Sequence, residues 1–198
     1  ENRIDPIADL EIIETELMLA DLESLERRRV QVEKRAKGGD KESQLNLKLI
    51  DLALAQLNAG KPARLAEVSK EDKKAWDMLQ LLTAKPVLYV CNVAEEDAAT
   101  GNAFSDAVAT MAKEQGAGHV VISARIEEEI SQLPADEAQM FLSEMGLEEA
   151  GLDRLIRAAY ALLGLQTYFT VGPKEARAWT ITRGTRAPQA AGVIHGDF

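Results

Sequence analysis

Two short apolar runs constrain this 198-residue chain more than any other feature. Pro86-Val87-Leu88-Tyr89-Val90-Cys91 is continuously apolar and bounded by a proline and polar residues. His119-Val120-Val121-Ile122-Ser123 is a second such run. An unbroken apolar run of this length reads as a buried strand of a parallel sheet, because alternation disappears when both faces are covered. Between the runs, residues 102–115 read as a helix with Phe104, Val108 and Met111 on one face. A strand, a helix and a strand within about 40 residues make a βαβ unit. Leu152, Leu155, Ile156, Ala159 and Leu163 mark another helix, expected to pack on that sheet.

The chain before residue 86 follows a different period. Asp5-Pro6 is a helix start, with Asp as N-cap and Pro at the first helical position. Leu10, Ile13, Leu17 and Ala20 repeat at 3-4-3 spacing, and Met18, Leu22, Leu25, Arg29 and Val32 continue on a shifted seam. Gly38-Gly39-Asp40 ends the pattern. Leu47, Ile50, Leu54 and Leu57 restart it, and Asn58-Ala59-Gly60-Lys61-Pro62 stops it. Two amphipathic helices joined by a glycine turn read as an antiparallel hairpin, a short coiled coil. Ser69 then caps a third helix with Trp76, Leu79 and Leu82 on its apolar face, ending at Lys85-Pro86. Beyond Gly164, Thr167–Val171 is β-branched and aromatic, Gly172-Pro173 turns, and Ala176–Thr182 alternates around Trp179. This predicts a β-hairpin that opens a further small domain.

Charge narrows the partners. The net charge is −10, which taken whole argues against a protein that coats nucleic acid. Its distribution is uneven: residues 1–75 carry −2, residues 76–165 carry −10 and residues 166–198 carry +2. No apolar run approaches the roughly 18 residues of a membrane span. The single cysteine, Cys91, excludes an internal disulfide and fits a reducing compartment. Both termini read as cut ends, so a fragment is expected.

Ligands of open α/β sheets bind at the C-terminal ends of the strands. Asn92-Val93-Ala94-Glu95 follows the first run, and Ser123-Ala124-Arg125 follows the second, Ser123 lying 31 residues after Asn92. This is the order and spacing of the N-K-x-D and S-A-K motifs of P-loop GTPases. There the Asn bridges base and loop, the Asp carboxylate accepts both guanine N–H donors, and the Ser-Ala backbone offers an N–H to the base oxygen. A polar turn after each strand would look the same over so few residues.

Longer stretches add to the match. Asp5-Pro6-Ile7-Ala8-Asp9-Leu10-Glu11 runs on through Thr15-Glu16-Leu17-Met18-Leu19-Ala20-Asp21-Leu22. Leu165-Gln166-Thr167-Tyr168-Phe169-Thr170 precedes Arg177-Ala178-Trp179-Thr180-Ile181, then Ala187-Pro188-Gln189-Ala190-Ala191-Gly192 and Ile194-His195. Together these closely resemble the YchF family of Obg-like ATPases, TRAFAC-class relatives of the P-loop GTPases, over essentially the whole chain. The resemblance implies an α/β fold with an α-helical coiled-coil insertion over residues 1–85. It implies the C-terminal half of a P-loop GTPase-like parallel sheet over 86–165. Residues 166–198 would begin a β-grasp TGS domain, truncated. It further implies a cytoplasmic, nucleotide-dependent switch that hydrolyses ATP, and GTP in some cases, with Mg2+, and that acts on the ribosome or RNA. Asn92, Val93, Glu95, Ser123 and Ala124 would form the base site.

The family's N-x-x-E in place of N-K-x-D matches Asn92 and Glu95. Adenine presents an acceptor at N1 and a donor at N6, the reverse of the guanine edge, so a carboxylate aimed at N1 would be repelled. Glu95 is expected to turn aside, and Val93, which stands where GTPases have Lys, to cover the base loosely, so that ATP is favoured. The sequence contains no G-x-x-x-x-G-K-[ST] loop and no D-x-x-G motif. No catalytic or metal residue is therefore assigned, and tight nucleotide binding or hydrolysis by this stretch alone is not expected.

The hairpin tip is basic: Arg27, Arg28, Arg29, Lys34, Arg35, Lys37 and Lys41 face only Glu33 and Asp40 across residues 27–41. Such a tip is either a solvated helix end or a contact for RNA phosphates without DNA sequence specificity. Lys174, Arg177, Arg183 and Arg186 add charge near Tyr168, Phe169 and Trp179, of which at least two read as core. His119 reads as structural, and Cys91 as a buried strand-end thiol. The histidines and cysteine lack zinc-ligand spacing. Glu127–Glu129 and Ala135–Glu137 read as solvated helical turns. The alternative to an enzyme fragment is a non-enzymatic RNA- or protein-binding module, or a plain coiled-coil adaptor.

Overall fold

Asp5 starts the first helix as its sequence implies. In the computed structural model, which describes residues 4–196, its carboxylate accepts from the Ala8 N–H at 3.1 Å and Pro6 is the first helical residue. Helix α1 (Pro6–Lys37) ends at Gly38, and Gly39 takes φ +89° to reverse the chain. Asp40 caps α2 (Lys41–Asn58), accepting from both the Ser43 N–H and hydroxyl. The chain divides into two compact units, Glu1–Pro86 and Val87–Phe198.

In the first unit α2 packs on α1 through Leu25, Leu49, Ile50, Ala53, Leu54 and Leu57. The apolar stripe of α2 holds at Ile50, Leu54 and Leu57, while Leu49 rather than Leu47 opens it. The stripe of α1 does not hold over its first turns: Ile13 and Leu17 are exposed, and burial begins at Asp21 and Leu25. Length explains this, since α1 has 32 residues and α2 only 18, and at equal rise α2 covers about half of α1.

The third helix is also shorter than expected. Ser69 Oγ does accept from the Asp72 N–H, but α3 is a single turn, Lys73–Asp77. Gln80 at φ +55° ends any continuation. Leu79 and Leu81 enter the core with Trp76, while Leu82 faces outward. Contacts distant in sequence win here: Arg28 donates to the Leu79 carbonyl, and Asp21 accepts from the Leu82 and Thr83 N–H groups.

The second unit contains the parallel pair. Strand β1 (Leu88–Asn92) pairs with β2 (Gly118–Ile122) in the register Leu88↔Gly118 to Asn92↔Ile122. The crossover is α4 (Ala103–Glu114), whose Asn102 cap forms a reciprocal box with Ser105. Its inner face is Ser105, Val108 and Ala112, whereas Phe104 is 49% exposed. Helix α5 (Ala124–Ile130), α6 (Ala135–Glu144) and α7 (Gly151–Leu162) follow, and α7 packs on β1 and β2. The strands are less covered than continuous apolar runs imply: Tyr89 and Val120 are buried, but Val90 is 45% exposed in this two-stranded sheet.

Beyond α7, β3 (Leu165–Val171) and β4 (Ala176–Thr182) form the expected antiparallel hairpin. A helix not anticipated from the sequence, α8 (Ala187–Ile194), returns along it, and the Tyr168 hydroxyl donates to the Ala190 carbonyl at 2.7 Å. Trp179 is half-buried, donates to Thr170 Oγ1 and carries the Arg177 guanidinium 4.2 Å above its ring. Phe169 is 73% exposed, so of the three aromatics it is the one outside the packing.

Candidate functional site

Parallel register brings the ends of β1 and β2 level, so Asn92 and Ser123-Ala124 meet although 31 residues separate Asn92 from Ser123. Three ties join the two loops. The Ala124 N–H donates to Asn92 Oδ1 at 2.9 Å. The Val93 N–H donates to the Ile122 carbonyl at 2.9 Å. Arg125 Nε meets Glu95 Oε1 at 2.6 Å.

These ties occupy groups named for the base site. The Ala124 N–H, expected to face a base oxygen, is engaged by the Asn92 side chain. Because the partner is a donor, the Asn92 oxygen must point at it, and Nδ2 then faces away from Ala124. Glu95, expected to turn aside, opens a 3-10 turn (Glu95–Asp97) and points its carboxylate to Arg125. Val93 is half-buried, and Asn92 and Ala124 are exposed at the strand mouth. The Ser123 hydroxyl is buried and has no hydrogen-bond partner, an orphaned polar atom within this loop.

Two neighbours, Arg125 and Glu127, have no site role in the sequence reading. Arg125 carries the loop-to-loop ion pair, and its signal is in the sequence: it is the only Lys or Arg between Lys113 and Arg154. Glu127, expected on a solvated turn, instead accepts from the Gly151 and Leu152 N–H groups at 2.6 and 3.0 Å. It thereby caps the N-terminus of α7, where partial positive charge favours a carboxylate.

Cys91 lies one residue before Asn92 and is partly buried, which pushes its thiol pKa up, away from the thiolate form. His119 and His195 are both exposed; His119 sits on β2 and His195 follows α8.

At the hairpin tip the seven basic residues divide into two groups. Arg28 donates to Leu79, and Arg29 is paired with Asp51 and Glu33, so both brace the fold. Lys37 pairs with Glu33, and Arg27 reaches Glu23 only at 3.8 Å. Lys34, Arg35 and Lys41 are exposed and form no ion pair among the described residues. The Asp51 carboxylate raises the Arg29 pKa, and Lys37 then Arg29 lower that of Glu33. No helix among the described residues is long and apolar enough to cross a membrane.

A parallel βαβ unit with Asn and Ser-Ala loops locked together at its strand ends defines a class, the P-loop GTPase type of α/β fold. The Schizosaccharomyces pombe YchF GTPase superposes on it with a TM-score of 0.88 at 32% identity, covering 100% of this chain and 54% of that one. The ribosome-binding ATPase YchF of Bacillus subtilis (strain 168) is 45% identical over 198 residues, and that of Escherichia coli O157:H7 is 46% identical over 196. Each match covers 99% of this chain and 54% of the relative. The family YchF-GTPase_C, described as a protein of unknown function (DUF933), matches residues 165–198. The chain belongs to the YchF family. It spans about half the length of the curated relatives it matches.

Proposed function

We propose that this chain supplies the base-recognition half of a ribosome-binding, nucleotide-dependent switch ATPase. The carrying observation is the Asn92–Ala124 bond, which fixes two strand-end loops as one platform at the sheet position where such folds bind ligands. Asn92 locks the platform through Oδ1 and keeps Nδ2 for the ligand. Val93 covers the base, and the Ser123-Ala124 loop lies beside it. The residues present fit a nucleotide base. They do not fit phosphate or Mg2+, since the sequence holds no Gly-rich phosphate loop; those functions fall to other parts of the full-length protein. ATP is favoured over GTP because the Glu95 carboxylate is engaged by Arg125 rather than open to guanine donors.

Ribosome contact, named for the bacterial relatives, is assigned to RNA phosphates at the hairpin tip, through Lys34, Arg35 and Lys41. The tip belongs to the coiled-coil insertion, and residues 166–198 begin the TGS segment, whose Arg177–Trp179 stack adds a basic face. A ribosome partner implies a cytoplasmic protein. Equilibrium titration of the full-length protein with ATP and GTP tests the base assignment. Tighter ATP than GTP binding, weakened at least about tenfold in Asn92→Ala, is expected; tight GTP with negligible ATP binding refutes it.

A further inference from the structure

Glu95 and Arg125 stand on different strand-end loops. Glu95 is three residues past Asn92 after β1, and Arg125 is the second residue of α5 after β2. Their side chains meet at 2.6 Å, and Glu129, one turn further along α5, approaches the same Nε at 3.8 Å. The guanidinium therefore lies between two carboxylates and is tethered toward α5 while it holds Glu95. Arg125 is also the only Lys or Arg in the 40-residue stretch from Glu114 to Asp153, so no permanently charged neighbour in sequence replaces it.

The carboxylate at position 95 has opposite consequences for the two purines. Freed, it is a two-oxygen acceptor matched to the guanine N1–H and N2–H donors. Facing adenine, it meets the N1 lone pair and repels it. We propose that Arg125 sets base specificity: by holding Glu95 in an ion pair across the two loops, it withdraws the guanine acceptor and removes the repulsion against adenine. This rests on the base-site reading above. Arg125 touches no reacting atom and is a positioning residue that acts through Glu95.

The side chains are 75% and 32% exposed. A pair this open biases an equilibrium by about two- to fivefold. In the full-length protein, Arg125→Ala should shift the ratio of GTP to ATP dissociation constants by about that factor toward GTP. Arg125→Lys, which keeps the charge, should restore part of the preference. In a Glu95→Ala background the further change Arg125→Ala should leave the ratio unmoved, which a merely structural role would not produce. An unchanged ratio in Arg125→Ala with both nucleotides still bound overturns this inference alone. So does an equal shift in the Glu95→Ala background, which would mean that Arg125 meets the base itself. Failure of the unsubstituted full-length protein to bind either nucleotide overturns the base-site reading and this inference together.

Discussion

Removing the Asp21 carboxylate should cost the first unit more than removing any single apolar contact at its edge. Asp21 is only 4% exposed and accepts three hydrogen bonds: from Leu82 N–H and Thr83 N–H at 2.8 Å each, and from Thr83 Oγ1 at 2.7 Å. Thr83 passes the restraint on, since its Oγ1 accepts from Ala63 N–H and its carbonyl from Arg64 N–H. A bond to an ionised acceptor contributes about 1.5–3 kcal/mol, so three give a ceiling of roughly 4.5–9 kcal/mol. Several kcal/mol of carboxylate desolvation are returned when the charge is deleted. The Leu82 amide can also rehydrate, because Leu82 is 43% exposed. The net loss for Asp21→Ala is then about 3–4 kcal/mol. Asp21→Asn should be nearly as harmful, because its Nδ2 would oppose an N–H donor. Urea unfolding of the chain followed by fluorescence of Trp76, buried in this unit, with Trp179→Phe to silence the second tryptophan, reads the loss directly. A loss below about 1 kcal/mol for Asp21→Ala, or a neutral Asp21→Asn, would refute the reasoning.

Three further outcomes are expected. Gly151→Ala places a Cβ 2.7 Å from Glu127 Oε1 and 2.9 Å from Ile122 Cγ2, so it should destabilise the second unit by about 1–3 kcal/mol, read as a lowered urea midpoint from Trp179 fluorescence. The Asp40 carboxyl is held below the usual carboxylate range by the Ser43 hydroxyl and N–H; its contribution is therefore present above the unfolded carboxyl pKa near 4 and lost as pH falls through the folded value. The urea midpoints of the parent and Asp40→Asn should differ at pH 7 and converge in acid, and an unchanged difference at low pH would contradict the cap. Reversing Lys34, Arg35 and Lys41 to Glu in the full-length protein should weaken ribosome co-sedimentation and flatten its salt dependence, whereas unchanged binding would make the tip a solvated end.

What the sequence disclosed was local. Asp5-Pro6 and Gly38-Gly39-Asp40 act within a few residues of themselves, and each starts or breaks a helix where its chemistry predicts. The β1 and β2 runs were visible because apolar continuity has few other causes, yet their degree of burial was not, since it depends on what lies above and below the sheet. The length of α3 was hidden because Asp21 and Arg28, more than 50 residues earlier, decide where the helix must stop. Helix α8 was missed although Pro188 sits in its first turn, because Gly192 and the small residues around it weaken any apolar period. At the candidate site the Asn and Ser-Ala positions were legible from spacing after the strands. The partners chosen by Glu95, Glu127 and the Ala124 N–H were not, because each required a geometry set by the parallel register.

That register explains why an amide suits position 92. Asn92 and Ile122 are Cα partners at the last rung of the ladder, and the Ala124 N–H, two residues further on the β2 side, takes its acceptor from the β1 side. A carboxylate could accept that N–H but would present only acceptors on its other side. A hydroxyl that accepted it would offer a single O–H and no pair of N–H donors. An amide accepts with Oδ1 and retains two N–H donors on Nδ2, so one side chain can both close the loops and address a ring nitrogen or ribose oxygen. The carboxylate in the same loop, three residues on, is neutralised by Arg125 from the other loop. The strand ends thus leave a donor at Asn92 and engage the acceptor at Glu95, the polarity on which the proposed adenine preference rests.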